Sequence, residues 1–163
     1  MVKNPLIAFA GYARAGKDVA ASALVEIGYT RIAFGNVIKA QVDELVKTHL
    51  GFSAFTEDDT QKTRIRQLLE VWGDTNYQAI LNEVMRTLPA KAVNARLVRI
   101  PEAEAWVQRG GVIVEIVRPG WGPASQWEHD RLEELRANGF ISSCIEESDR
   151  EMLKVRAREL AYN

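Results

Sequence analysis

The chain has 163 residues, 47% of them apolar and 26% charged, with a formal net charge of -1. This is ample for one buried core, and the even charge balance excludes passive coating of nucleic acid, so no stable nucleic-acid binding is expected. A single cysteine (Cys144) and two histidines (His49 and His129) exclude an intramolecular disulfide and a cysteine zinc cage and leave histidine-based metal sites and triads poorly supplied.

In chain order, the apolar run Leu6 to Ala10, ended by Gly11, reads as a buried strand. Asp18 to Ile27 is rich in helix formers and stops at Gly28. Thr30 to Phe34 then reads as a second strand, closed by Gly35, and strand–helix–strand at this spacing implies a parallel sheet. From Asn36 to about Leu88 three helical patterns follow one another. The first runs through Val37, Ile38, Val42, Leu45, Val46 and Leu50. The second runs from Ile65 through Leu68 to Trp72, and the third from Tyr77 to Leu88, stopped by Pro89. Three helices exceed what a crossover needs, so 36–88 is expected to be a helical insert.

The strand–helix rhythm then resumes. Ala90 to Val93 is a short strand candidate, Pro101 to Arg109 a helix opened by proline, and Val112 to Val117 the clearest strand. Arg118 to Ser125 is a Gly/Pro loop, Trp127 to Ala137 a helix, Phe140 to Ile145 the last strand, and Ser148 caps a helix reaching about Leu160. The expected fold is one α/β domain over 1–163 in three α/β/α layers. Its sheet has about five mostly parallel strands, with a helical insert and a short lid loop over about 118–126. No window approaches the roughly 18 apolar residues of a membrane span, and the N-terminal apolar stretch is too short for a signal peptide. A cytoplasmic protein without membrane contact is therefore expected.

The chemistry is concentrated in Gly11-Tyr12-Ala13-Arg14-Ala15-Gly16-Lys17-Asp18, which fits G-x-x-x-x-G-K with Asp where Ser or Thr usually stands. Glycines let the backbone curl so that successive N–H groups point inward around phosphate oxygens. The following helix aims its positive end at the same place, and the lysine ammonium reaches the β- and γ-phosphates. A chance match is on the order of one per cent, given Gly at ~7% of residues, and the motif lies between a strand and a helix, as it must. Gly11, Ala13, Arg14, Ala15, Gly16, Lys17, Asp18 and Val19 are thus expected to hold nucleotide phosphates. Asp18 is a candidate magnesium ligand or a favourable acid at a helix start. Arg96 follows a strand at its C-terminal end, where α/β sheets bind ligands. Arg118 ends a strand and opens the Gly/Pro loop, so it can stack on a base or reach phosphates. Glu115 lies inside a strand and reads as structural, Glu57-Asp58-Asp59 as a solvated loop, Cys144 as packing and His129 as a surface helix residue. Trp72 and Trp106 read as core, while Trp121 and Trp127 flank the lid loop.

On these residues the chain resembles the bacteriophage deoxynucleoside monophosphate kinases within the P-loop nucleoside monophosphate kinase superfamily. The likeness rests on the Gly11–Asp18 loop and on Ile32 to Lys39, Arg66 to Asp74, Asn94 to Ala103 and Gly110 to Pro119. It implies an ATP-dependent kinase in the host cytoplasm of a phage, with magnesium and small-molecule nucleotides as its ligands; a homodimer is left open. The resemblance implies Lys17, Arg96 and Arg66 at the transferred group, and Lys39, Arg64, Arg66, Asn94 and Arg96 at the acceptor. Two departures stand out. Asn94 replaces an acid, and Thr75 to Gln78 carries no arginine. A kinase of another phosphorylated acceptor, such as phosphomevalonate or dephospho-coenzyme A, and a nucleotide-binding module without turnover are the competing readings.

Overall fold

The protein is described by a computed structural model covering residues 1–163. The chain folds as two compact units, Met1–Ile32 with Pro89–Asn163, and Ala33–Leu88.

The first unit contains five strands: β1 (Leu6–Ala10), β2 (Thr30–Ile32), β3 (Ala92–Asn94), β4 (Val112–Val117) and β5 (Ser143–Glu146). They form one sheet in the order β2-β3-β1-β4-β5, and every pairing is parallel. All five residues of β1 are buried, which is why its sequence runs apolar without alternation: both sheet faces are covered. The helices α1 (Lys17–Val25) and α7 (Arg150–Glu159) pack together on one face. There Ile7, Phe9, Val114 and Ile116 meet Ala20, Leu24, Leu153 and Ala157. The helix α5 (Ile100–Gln108) packs on β4 and against α6 (Gln126–Ala137), and it carries the fully buried Trp106. Glu115 is buried within β4 and is neutralised by Arg136, whose Nε donates to it at 3.0 Å. The strand order reverses around β1, and the crevice at such a switch point is where α/β sheets bind ligands.

The second unit holds α2 (Phe34–Leu50), α3 (Asp59–Thr75) and α4 (Tyr77–Arg86). Val42, Val46, Ala54 and Ile65 form its core, with Phe52, Leu68 and Leu69 packed against them. Asp43 ties α2 to the loop after it, accepting from Ser53 Oγ at 2.7 Å and from the Ala54 N–H at 2.8 Å. No helix of the chain is long and apolar enough to cross a membrane.

Several local expectations are corrected. Phe34 is the first residue of α2 rather than the end of β2, because the strand stops at Ile32. β5 begins at Ser143, not Phe140. Asp149, not Ser148, caps α7, its carboxylate accepting from the Met152 N–H at 2.8 Å. Trp72 is not core: it is 36% exposed, and its indole N–H donates to Gln41 Oε1 at 2.8 Å. Cys144 is exposed on β5, an edge strand of the sheet, rather than packed in the core.

Candidate functional site

The segment between β1 and α1 adopts a curled loop whose conformation only certain residues permit. Gly11 has φ of 133°, and a Cβ there would collide with the carbonyl oxygen of Ile116. Gly16 has φ of 107°, and a Cβ would lie 2.6 Å from Leu153 Cδ2. Arg14 takes a left-handed φ of 64°, the one non-glycine residue to do so. Such outliers cost free energy and cluster at ligand clamps. The loop closes on itself through the Ala15 N–H donating to the Tyr12 carbonyl at 3.2 Å. Lys17, the first residue of α1, is folded back so that its ammonium donates to the carbonyls of Gly11 at 2.6 Å and Tyr12 at 2.7 Å. Burial pulls its pKa below the usual lysine value and Arg96 adds to that, while Glu128 and Asp18 oppose it.

A cleft of about 880 Å³ opens over this loop. Gly11, Ala13, Arg14, Ala15, Gly16, Lys17, Asp18 and Val19 line it, as do Arg96 and Arg118, so ten of the residues singled out in the sequence share one cavity. The far wall comes from α6, through Trp127, Glu128 and Arg131, and from the turn before α7 and its first residue, through Glu147, Ser148 and Arg150. Arg96 follows β3, and its side chain is 76% exposed. Asn94 ends β3 and is only 2% exposed. Its Oδ1 accepts from the Arg96 N–H at 2.9 Å, while its Nδ2 has no partner. That orients the amide: Asn94 offers a donor where an acid would offer an acceptor. Arg118 stands 4.4 Å over the ring of Trp121 in the Gly/Pro loop.

Lys39, Arg64 and Arg66 lie in the second unit. Lys39 on α2 sits 5.9 Å over the Phe55 ring, and Arg64 on α3 sits 5.5 Å over Phe52. Arg66 is exposed on α3.

Two contributors were not singled out in the sequence. Arg31, in the middle of β2, ion-pairs with Asp18. Glu128, in the first turn of α6, accepts from the Ala13 N–H at 2.6 Å and from the Ala124 N–H at 2.7 Å. Beside it the Tyr12 hydroxyl and His129 Nδ1 are 2.9 Å apart, so His129 faces the loop rather than open surface.

The donors present fit the phosphates of a nucleotide: a curled run of backbone N–H groups, an ammonium at the helix start and several guanidiniums. A magnesium ion held directly by Asp18 does not fit this arrangement. One of its carboxylate oxygens accepts from Arg31 and the other faces Arg96 at 3.8 Å.

No protein-family model matches this sequence, and a search against curated proteins gives no match. Solved structures do resemble it in fold. A dephospho-CoA kinase from Campylobacter jejuni superposes with a TM-score of 0.58 at 10% identity, covering 98% of this chain and 99% of that one. A shikimate kinase from Acinetobacter baumannii, in complex with shikimate, gives 0.53 at 16% identity, over 97% and 91%. At these identities the likeness establishes the α/β fold shared with P-loop kinases.

Proposed function

We propose that this protein is an ATP-dependent phosphotransferase whose acceptor is itself a phosphate, a deoxynucleoside monophosphate being the first candidate. One observation carries the choice of acceptor type: of the carboxylates at the phosphate loop, Asp18 is engaged by guanidiniums and Glu128 is held by the Ala13 and Ala124 N–H groups, so neither stands free as a base. Transfer to an alcohol is helped by a base that receives the hydroxyl proton. Transfer to a phosphate has no such need, because the attacking oxygen is already anionic, and a cationic, donor-rich edge suits it. The deoxynucleoside body of the acceptor is supported by the sequence resemblance.

The proposed step balances simply. An oxygen of the acceptor phosphate forms a bond to the γ-phosphorus of ATP as the bond to the β,γ-bridging oxygen breaks, and the electron pair leaves with ADP. Lys17 swings from the Gly11 and Tyr12 carbonyls onto the β- and γ-oxygens, exchanging two neutral acceptors for charged ones. The loop N–H groups hold the same phosphates in place, which stabilises charge without reorganisation at the moment of transfer. Arg96 steers the acceptor oxygen into line.

A coupled ADP-release assay tests this reading across the deoxynucleoside monophosphates, with dephospho-coenzyme A, phosphomevalonate, shikimate and no acceptor as the other arms. ADP release dependent on a deoxynucleoside monophosphate is the expected result. Release driven only by shikimate or another alcohol overturns the acceptor assignment, and nucleotide binding without release in any arm overturns catalysis.

A further inference from the structure

Asp18 is the one residue of the phosphate loop that departs from its usual type, and its surroundings indicate what the departure is for. It sits in the first turn of α1, opposite the C-terminal edge of β2 and β3. Its Oδ1 accepts from Arg31 of β2, and its Oδ2 lies 3.8 Å from Nη2 of Arg96, just beyond β3. β2 and β3 are neighbouring parallel strands with Arg31 in register with Val93, so both guanidiniums are delivered to one edge. The side chains are 40%, 57% and 76% exposed for Arg31, Asp18 and Arg96. Ion pairs this exposed add little stability, so the consequence of the triad is geometric. Charge points the same way. Lys17, Arg31 and Arg96 meet only Asp18 at this edge, with Glu128 acting from the α6 side, which leaves the edge positive.

We propose that Asp18 is a positioning residue rather than a metal ligand, holding Arg31 beside Arg96 so that two guanidinium forks close on the phosphate of the acceptor. Arg31 thereby becomes a substrate-contacting residue. This rests on the reading of the acceptor as a phosphate. A carboxylate engages each guanidinium through a terminal nitrogen and leaves the rest of its planar fork for a second anion, as a hydroxyl at position 18 could not. A lysine at position 31 would lack the fork.

The deciding experiment reads the arginines directly. Side-chain Nε–H resonances of Arg31 and Arg96 are followed by NMR while inorganic phosphate is added to the protein saturated with a non-hydrolysable ATP analogue, which keeps the phosphate loop filled. Both resonances should move together. Asp18→Asn should weaken phosphate binding several-fold and raise the acceptor KM roughly tenfold, with little change in the half-saturating magnesium concentration. Arg31→Ala, on an exposed strand position that tolerates truncation, should act alike, and the double variant should be no worse than Arg31→Ala alone. Arg31→Lys should recover only part of the loss. A silent Arg31 resonance overturns the proposal. So does an Asp18→Asn variant that needs more magnesium while its acceptor KM is unchanged. Movement of both resonances in a protein that turns over no acceptor would leave the clamp standing and remove the kinase reading; if the analogue itself fails to bind, the same resonances are followed in the free protein.

Discussion

Glu128 offers the sharpest test of how the phosphate loop works, because an anion of the chain already sits on it. The carboxylate accepts from the Ala13 N–H at 2.6 Å and from the Ala124 N–H at 2.7 Å, bridging the phosphate loop and the Gly/Pro loop. For a nucleotide phosphate to take the Ala13 N–H, Glu128 must withdraw. A charge-assisted hydrogen bond is worth about 1.5–3 kcal/mol. Solvent screening at this partly exposed site and the replacement bond to phosphate reduce the net competition to the order of 1 kcal/mol. Glu128→Gln retains a single carbonyl oxygen and no charge, so it can satisfy only one of the two N–H groups and does not repel a triphosphate. At about 1.4 kcal/mol per tenfold, the Kd for an ATP analogue should fall roughly fivefold, and the gain should shrink as salt is raised. The helix start is left intact, since Ser125 Oγ caps α6 through the backbone N–H of Glu128 at 3.2 Å. Calorimetric titration reads the affinity, and hydrogen exchange at the Ala13 amide, faster in Glu128→Gln, reads the broken contact. Unchanged or weaker nucleotide binding, with the Ala13 amide exchanging as in the parent, would refute the competition.

Lys17→Ala should abolish transfer with the melting temperature nearly kept, because the ammonium acts on charge rather than packing; turnover near that of the parent would remove the phosphate-loop assignment. Lys17 must be protonated to act and burial lowers its pKa from 10.5, so activity should fall with rising pH earlier than for an ordinary lysine. Removing the opposing charge in Glu128→Gln should move that alkaline limb lower still. Gly11→Ala should lose more than ~1 kcal/mol in urea denaturation, since its Cβ meets the Ile116 carbonyl oxygen at a φ of 133°; full stability would contradict the loop geometry. If Arg118 to Ser125 closes over bound nucleotides, Trp121→Phe should remove most of the fluorescence change produced by a bisubstrate analogue, because Arg118 must leave the Trp121 ring it now covers. Survival of that change would take the lid role from this loop.

What could be read from the residues alone was what is encoded locally. The phosphate loop is eight consecutive residues whose types are dictated by their own backbone geometry, and the all-apolar β1 and the β4 run, apolar but for Glu115, reflect a sheet covered on both faces. Boundaries shifted where local rules tie. Ser148 and Asp149 are both good caps, and only the fold places the Asp149 carboxylate against the Met152 N–H. Trp72 fitted an apolar helical stripe, yet its indole N–H finds Gln41 across the unit and keeps one edge of the ring at solvent. A pattern of apolar spacing records which face is buried and not how deeply.

Arg31 and Glu128 escaped notice for a different reason: each has an ordinary local explanation that conceals its distant partner. Arg31 reads as the polar residue of a short strand, and only parallel pairing through a βαβ unit brings the middle of β2 to the first turn of α1. Glu128 completes Ser125-x-x-Glu128, the pattern in which the acid turns back to its own helix start. Here the backbone half of that motif forms, while the carboxylate reaches Ala13 in the phosphate loop instead. Both are charged side chains held at the phosphate loop, one bound to Asp18 and the other to a loop N–H. On the proposed reading, phosphates entering the cleft would act on both at once. The incoming charge would then compete with Glu128 for the loop and join Asp18 as a partner for the arginines. On that reading the first substrate would rearrange the groups that receive the second, and the Glu128 and Asp18 variants should separate those two responses.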